Sequence, residues 1–131
     1  MFLYLEFNDS IGGPVKYPLV VLVFDVDGTL EVGSPPGPIP IRVLYELKRR
    51  GFIVGIIGNY HRIIHRCIDF HFCLQGHPVK HISLRRVIEM FNPDLVIYVA
   101  DEDRDRRACM DAGVVYVRPE HFSYFIKNLF V

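Results

Sequence analysis

Short apolar runs rich in Val and Ile alternate along the chain with segments whose apolar residues recur at helical spacing. The runs predict five strands, and the recurring positions predict amphipathic helices between them. The strands are expected at about 18–25, 52–58, 71–75, 94–100 and 114–118. This alternation is typical of βα units, so the pattern predicts an α/β fold with a mostly parallel central sheet.

Four segments carry the apolar spacing of helices, with Gly or Pro at a boundary. They are "IRVLYELKRRG" up to Gly51, "SLRRVIEMFNP" up to Pro93, "RRACMDAG" up to Gly113, and the tail that starts at Pro119. The tail is expected to dock on the core through one buried face, formed by Phe122, Phe125, Ile126 and Leu129.

Two segments depart from the alternation. The extension at 1–17 is expected to form an extra strand or hairpin, and "GSPPGPIP" at 33–40 is expected to be a stiff loop because its four prolines exclude regular structure. A chain of 131 residues, half of them hydrophobic, is long enough for one domain with a real core. We therefore predict a single domain over residues 1–131.

Charge, the length of the apolar runs and cysteine content limit the expected partners and location of the protein. Fifteen basic residues balance fifteen acidic ones, so the basic clusters read as solvated helix faces and nucleic acid is possible but not favoured. The apolar runs are too short to cross a bilayer, and no basic leader is present. Three cysteines without framework spacing predict reduced thiols, although one bridge stays open. These features predict a soluble cytoplasmic protein without a membrane partner.

The stretch "VVLVFDVDGTLEV" places two carboxylates where a buried strand ends, at Asp25 and Asp27. Ligands of open parallel sheets bind outside the carboxyl ends of the strands. The position therefore favours a functional site, while an ordinary turn at Asp27 and Gly28 would explain the same residues.

A second apolar strand, in "DLVIYVADEDRD", also ends in carboxylates, at Asp101 and Asp105. If the two strands are neighbours, the carboxylates converge and repel one another unless a cation is present. Oxygen ligands that leave room for water suit Mg²⁺. Asp103 competes with the other two acids, and Asp101 is preferred because it directly ends the apolar run.

The segment "DVDGTL" at 25–30 resembles the signature of the haloacid dehalogenase-like (HAD-like) superfamily of phosphohydrolases and phosphotransferases. Three further segments resemble that family in the same order. They are "GFIVGIIGN" for the second motif, Lys80 for the third, and "VADEDRDRRACMDAGVVYV" for the fourth, so that the resemblance covers about residues 18–118. It implies a Rossmann-like three-layer sandwich and a Mg²⁺-dependent phosphatase.

The resemblance also implies roles for single residues. Asp25 would be the nucleophile that forms an aspartyl-phosphate, and Asp27 would be the general acid and then the general base, with its backbone carbonyl toward Mg²⁺. Asp101 would be a further metal ligand, and Asp105 would orient the metal shell.

Phosphate binding is implied for the turn after the first motif, where the amides of Gly28 and Thr29 would receive phosphate oxygens. Lys80 would neutralise charge on the nucleophile and on the transferred group. Arg85 or Arg86 are alternatives for that role.

The second motif departs from the family pattern, because the strand ends in Gly58 and Asn59 where the family has Ser or Thr. Thr29 is the only threonine of the chain, so no small shift of alignment restores the hydroxyl. Backbone amides at Gly58 and Asn59, or the Asn59 side chain, are expected to bind phosphate instead, with slower catalysis. The alternative is a catalytically weak or inactive binding or regulatory module.

The two places where relatives insert a cap domain are short here, at 31–41 and 59–80. The sequence therefore predicts a capless protein whose open site takes a phosphorylated macromolecule, or a small molecule if a second subunit closes the site. A homo-oligomer is thus possible, and the fold does not identify the substrate.

The stretch "HRIIHRCIDFHFC" contains metal-ligand residue types, but their spacing is not that of a known zinc finger. The apolar spacing instead predicts a surface helix that buries a stripe of Ile64, Cys67 and Ile68. A response-regulator receiver is disfavoured because "HFCLQG" lacks an Asp after the third strand, and a dinucleotide-binding fold is disfavoured because no G-x-G-x-x-G follows the first.

Overall fold

The computed structural model describes residues 6–9, 13–16 and 18–129, with side chains for 18–124 and for Ile126. This part of the chain contains seven strands, four α-helices and one 3₁₀ segment. In chain order they are β1 Glu6–Asp9, β2 Gly13–Lys16, β3 Val20–Phe24, α1 Ile41–Arg49, β4 Ile53–Gly58, the 3₁₀ segment Tyr60–Asp69, β5 Phe72–Gln75, α2 Lys80–Phe91, β6 Leu95–Val99, α3 Asp103–Ala112, β7 Val115–Val117 and α4 Pro119–Leu129.

Five of the strands form one parallel sheet in the order β5-β4-β3-β6-β7. The central strand β3 pairs with β4 on one side and with β6 on the other, so that Val21 faces both Ile53 and Val96 in register. The α/β fold and the positions of the five strands are confirmed. The sheet is wholly parallel rather than mostly parallel.

Helices cover both faces of this sheet. Leu22 and Phe24 belong to a buried cluster with residues of α1 and α4, whereas Val21 and Val23 belong to a second cluster with residues of α2 and α3. Successive residues of a strand point to opposite faces. Because both faces are covered, β3 is apolar at every position, as its sequence indicated.

The C-terminal helix α4 docks on the first of these clusters. Phe122 and Ile126 are buried, and the ring of Phe122 packs edge-on against Phe24 with centroids 5.4 Å apart. The predicted docking is confirmed for these two residues. The side chains of Phe125 and Leu129 lie outside the described residues.

The segment Tyr60–Asp69 differs from the predicted surface helix. It is 3₁₀-helical and bends at Ile63, whose backbone leaves the helical region and whose side chain enters the core. Ile64 and Ile68 are 56% and 87% exposed. The predicted buried stripe is therefore wrong, because the bend breaks the 3.6-residue spacing on which it depended.

Cys67 and Cys73 form a disulfide with their Cα atoms 5.8 Å apart, which corrects the prediction of reduced thiols. The chain turns between the 3₁₀ segment and β5 and so brings the two cysteines together. Cys109 is free and buried in α3.

In the N-terminal extension, β1 and β2 pair antiparallel from Glu6 with Lys16 to Asp9 with Gly13. The other extension residues, 1–5, 10–12 and 17, lie outside the described part of the chain. None of the helices in the described ranges combines the length and the apolar composition that a membrane span requires.

Candidate active site

Three carboxylates meet at the carboxyl ends of the neighbouring strands β3 and β6. Asp25 directly follows β3, and its backbone N–H donates to the carbonyl of Val99 at 3.0 Å. Asp101 follows β6, and Asp105 lies in the first turn of α3. One carboxylate oxygen from each of the three lies within 4.8 Å of the others. Their predicted convergence is thus present in the structure.

A single buried ammonium group lies among these acids. Nζ of Lys80, the first residue of α2, lies 2.6 Å from Oδ1 of Asp105 and 3.2 Å from Oδ2 of Asp25. The same atom lies 5.6 Å from the ring centroid of Tyr98. Arg85 and Arg86 are exposed on α2, so Lys80 is the α2 cation that contacts Asp25.

Burial dominates the electrostatics of Asp25. Loss of solvation raises its pKa from 3.8 to about 6. The charge of Lys80 and the N–H of Val26, which donates to Oδ1 at 2.8 Å, oppose this rise, while the carboxylate of Asp105 adds to it. Asp25 is therefore mostly ionised at neutral pH.

Asp101 carries an unused acceptor. Its Oδ1 is buried and has no hydrogen-bond partner among the described residues. Burial raises its pKa as well. Three carboxylates against one ammonium leave a surplus of negative charge, and a buried oxygen without a partner is costly. These residues therefore fit a small divalent cation with oxygen ligands.

Asp27 lies outside this acidic group. Its Oδ1 accepts from the backbone N–H of Ser34 and from Nε of Arg62, both at 2.9 Å. Its Oδ2 accepts from Nδ2 of Asn59 at 3.3 Å. The side chain of Asp27 is thus held at the cleft by three donors. The contact of the Asp27 backbone carbonyl with a metal stays a prediction.

The turn after Asp27 is tightly packed. Gly28 has φ of +75°, and a Cβ there would overlap the Asp101 carboxylate. Its N–H donates to the carbonyl of Pro35 at 2.6 Å, and the N–H of Thr29 donates to Val26 at 3.1 Å. Both amides therefore have protein acceptors, and their phosphate-binding role stays a prediction.

The end of β4 leaves no room for a side chain at position 58. A Cβ on Gly58 would overlap Oδ1 of Asp25 and would lie 3.1 Å from the backbone N of Val26. A Cβ on Gly76 would in turn lie only 2.8 Å from Cα of Gly58. The conformation of Asp25 thus leaves no space for the side chain of a Ser or Thr at position 58.

A cleft of about 450 Å³ opens beside these residues. It joins the sheet edge to the 3₁₀ segment, to the loop after β5 and to the start of α3. Its walls are formed by Asp25, Asp27, Gly58, Asn59, Tyr60, His61, Gln75, Gly76, His77, Lys80, Glu102 and Arg104.

Sequence reasoning missed two residues of this site. Arg62 belongs to the basic residues expected on solvated helix faces, and its contact with Asp27 spans 35 positions of the chain, so no local pattern marks it. Tyr98 lies within the apolar run of β6, and its buried hydroxyl donates to the carbonyl of Ile57 at 2.7 Å below the ammonium of Lys80. A polar aromatic residue among aliphatic ones was the available signal.

The remaining metal alternatives find no support. Asp103 is exposed on α3, and Cys67 and Cys73 are joined to each other. Within the described part of the chain, Asp25, Asp101 and Asp105 are the one group of potential ligands close enough to share an ion.

No protein-family model, curated protein or solved structure matches this chain.

Proposed function

We propose that this protein is a Mg²⁺-dependent phosphomonoester hydrolase of the capless HAD-like type. The observation that carries the proposal is the convergence of Asp25, Asp101 and Asp105 around Lys80. Their location outside the carboxyl ends of two neighbouring parallel strands matches the place where α/β folds bind ligands. The order of the motifs in the sequence supports the same class of enzyme.

The side chains of Asp25, Asp101 and Asp105, together with the backbone carbonyl of Asp27, would hold the Mg²⁺ ion. When bound, the ion screens the carboxylates from one another and from the phosphate and stabilises charge on the transferred group. The unpartnered Oδ1 of Asp101 supports this assignment, because a cation would satisfy it.

Asp25 would act as the nucleophile. Its carboxylate is fixed by Val26 on one oxygen and by Lys80 on the other. An oxygen of Asp25 attacks phosphorus, the bond to the leaving oxygen breaks, and an aspartyl-phosphate forms. Water then attacks phosphorus, which frees the carboxylate and releases inorganic phosphate.

Asp27 would move the protons of these two steps. It gives a proton to the leaving oxygen in the first step and takes one from water in the second. Arg62 and Asn59 hold its carboxylate at the wall of the cleft and so orient it. Lys80 would balance the charge of Asp25 while the phosphoryl group approaches.

The second motif has no hydroxyl to bind the phosphoryl group, so another donor must make that contact. The side-chain amide of Asn59 lines the cleft and would supply this contact. Loss of one charge-assisted hydrogen bond costs roughly 1–3 kcal/mol. We expect slow but measurable turnover.

The short connections favour an open site. Between β3 and α1 the chain forms a loop tied back on itself, with the N–H of Gly37 donating to Leu30 and that of Ile39 donating to Thr29. Between β4 and α2 it forms only the 3₁₀ segment, β5 and a short turn. Neither connection holds a domain that would cover the cleft.

Phosphate release from an aryl phosphate, with and without Mg²⁺, tests the proposal. We expect metal-dependent release by the wild-type chain and a loss of about 100-fold or more in Asp25→Asn. Asp103→Asn is the matched control, since Asp103 is an exposed acid outside the cluster. Equal release by wild type and Asp25→Asn would contradict the proposed nucleophile.

A second candidate function, a non-catalytic binding module, is favoured by Gly58 alone. Mg²⁺ binding by the wild type and by Asp101→Asn, measured by calorimetry, separates the two functions. Binding that Asp101→Asn weakens, with no phosphate release from any ester, would favour the binding module over the hydrolase.

A further inference from the structure

One wall of the cleft is an aromatic platform formed by Tyr60 and His61. The two rings stack with centroids 4.8 Å apart and planes 29° apart. Tyr60 is half-buried and packs against the apolar cluster of α1 and α4, whereas His61 is exposed. The core thus supports the platform from behind and leaves the histidine ring accessible from the cleft.

The platform lies close to the proposed site of phosphoryl transfer. Tyr60 stands two residues after Gly58, which abuts the carboxylate of Asp25. Successive Cα atoms are about 3.8 Å apart, so the Cα atoms of residues 58 and 60 are within about 8 Å of each other. A ring that stacks on the platform is therefore near enough to Asp25 to be joined to a phosphate bound there.

The rest of the cleft lining is polar. Asn59 and Gln75 contribute amides, and Arg104 pairs with Glu102 at 2.6 Å. The lining described contains no aliphatic side chain. The rings of Tyr60, His61 and His77 are thus the aromatic part of the lining, and its amide and charged groups supply both donors and acceptors.

We propose that this cleft binds a nucleoside phosphate, with the base on the platform of Tyr60 and His61. The inference rests on the proposed function and names its substrate class. A heteroaromatic base uses both the stacking face and the hydrogen-bond groups of the cleft, whereas a phenyl ring uses only the face and a sugar phosphate without a base uses only the hydrogen-bond groups. The volume of about 450 Å³ lies within the range of roughly 300–1,000 Å³ that is usual for small-molecule sites.

Calorimetric binding to the Asp25→Asn variant in Mg²⁺ tests the inference without turnover. The probes are adenosine 5′-monophosphate and ribose 5-phosphate, which differ by the base. We expect the nucleotide to bind about 10-fold or more tightly, since stacking on an aromatic side chain contributes substantially per base. Adding Tyr60→Leu or His61→Ala to this variant is expected to bring the ratio close to one.

His65→Ala is the matched control, because His65 is exposed on the same 3₁₀ segment but does not line the cleft. It is expected to leave the ratio unchanged. Equal binding of the two probes, or a ratio that Tyr60→Leu and His61→Ala leave intact, would overturn the inference.

Steady-state hydrolysis by the wild-type chain separates this inference from the proposed function. Release of phosphate from both probes with equal kcat/KM would retain the hydrolase and overturn the nucleoside preference. Base-dependent binding without release from any ester would retain the nucleoside site and overturn the hydrolase. A 5′-phosphorylated oligonucleotide in parallel distinguishes a free nucleotide from a nucleic-acid end as the source of the base.

Discussion

Nζ of Lys80 lies 2.6 Å from Oδ1 of Asp105 and joins the first residue of α2 to the first turn of α3. Both groups are buried, and the same ammonium reaches Asp25 at 3.2 Å. One lysine therefore balances two carboxylates that β3 and α3 bring to the same place. Removing it leaves both acids buried without their cation.

Lys80→Met is expected to lower the free energy of unfolding by roughly 3–5 kcal/mol in metal-free buffer, because uncompensated buried charge is strongly destabilising. Mg²⁺ should restore part of this loss if the three acids hold it. Urea unfolding with EDTA and with Mg²⁺ measures both effects. Arg86→Met, at an exposed position of α2, serves as the control. Equal stability of Lys80→Met and the wild type would contradict the role of this ion pair.

The raised pKa of Asp25, from 3.8 to about 6, predicts a pH dependence of stability. Between about pH 4 and pH 6 the folded protein binds more protons at this group than the unfolded chain. The free energy of unfolding should therefore fall as pH rises through this window, by up to about 3 kcal/mol from this group.

Urea unfolding across this pH range in EDTA measures the dependence. Asp25→Asn removes the titrating group, so its stability relative to the wild type should rise as pH increases. A constant difference between the two proteins from about pH 4 to pH 6 would show that Asp25 has an ordinary pKa.

Gly58→Ser is expected to destabilise the protein by about 1–3 kcal/mol, because its Cβ would overlap Oδ1 of Asp25 and force the carboxylate to turn. Although the HAD-like superfamily that the sequence resembles carries a hydroxyl at this place, we expect this variant to release phosphate no faster than the wild type. Gly113→Asn is a control with open space around it, since a left-handed helix end tolerates Asn. Faster release by Gly58→Ser with unchanged stability would refute the steric argument.

Arg62→Gln is expected to lower kcat for phosphate release about 10-fold with little change in KM, because Arg62 orients the carboxylate of Asp27 at 2.9 Å. Arg62→Lys should recover part of the loss. Arg66→Gln, on the same 3₁₀ segment, contacts Tyr45 instead and provides the control. A rise in KM alone would place Arg62 in substrate binding rather than in the orientation of Asp27.

The three cysteines should be unreactive in the native protein for two different reasons. Burial raises the pKa of Cys109 to about 12, and Cys67 and Cys73 are joined, so a thiol reagent should modify none in the native oxidised protein. Unfolding should expose one thiol, and unfolding with reduction should expose three. Loss of the disulfide in Cys67→Ser should cost about 2 kcal/mol for such a short loop. Three reactive thiols in the unreduced unfolded chain would show that Cys67 and Cys73 are not bridged.

The five strands of the parallel sheet and the approximate positions of the helices could be predicted from the sequence. It also indicated that the acids after β3 and β6 would lie together. These features follow from local patterns. A continuous apolar run indicates a strand that is buried on both faces of the sheet, and the polar residue that ends the run indicates where the strand reaches the edge of the sheet.

Which side chains meet could not be predicted without the packing of the helices against the sheet. The choice of Lys80 over Arg85 and Arg86, and the contact of Arg62 with Asp27, depend on where α2 and the 3₁₀ segment lie against the sheet. The bend at Ile63 likewise depends on the space left in the core. Such contacts join residues far apart in the chain, and their geometry is set by packing and not by local periodicity.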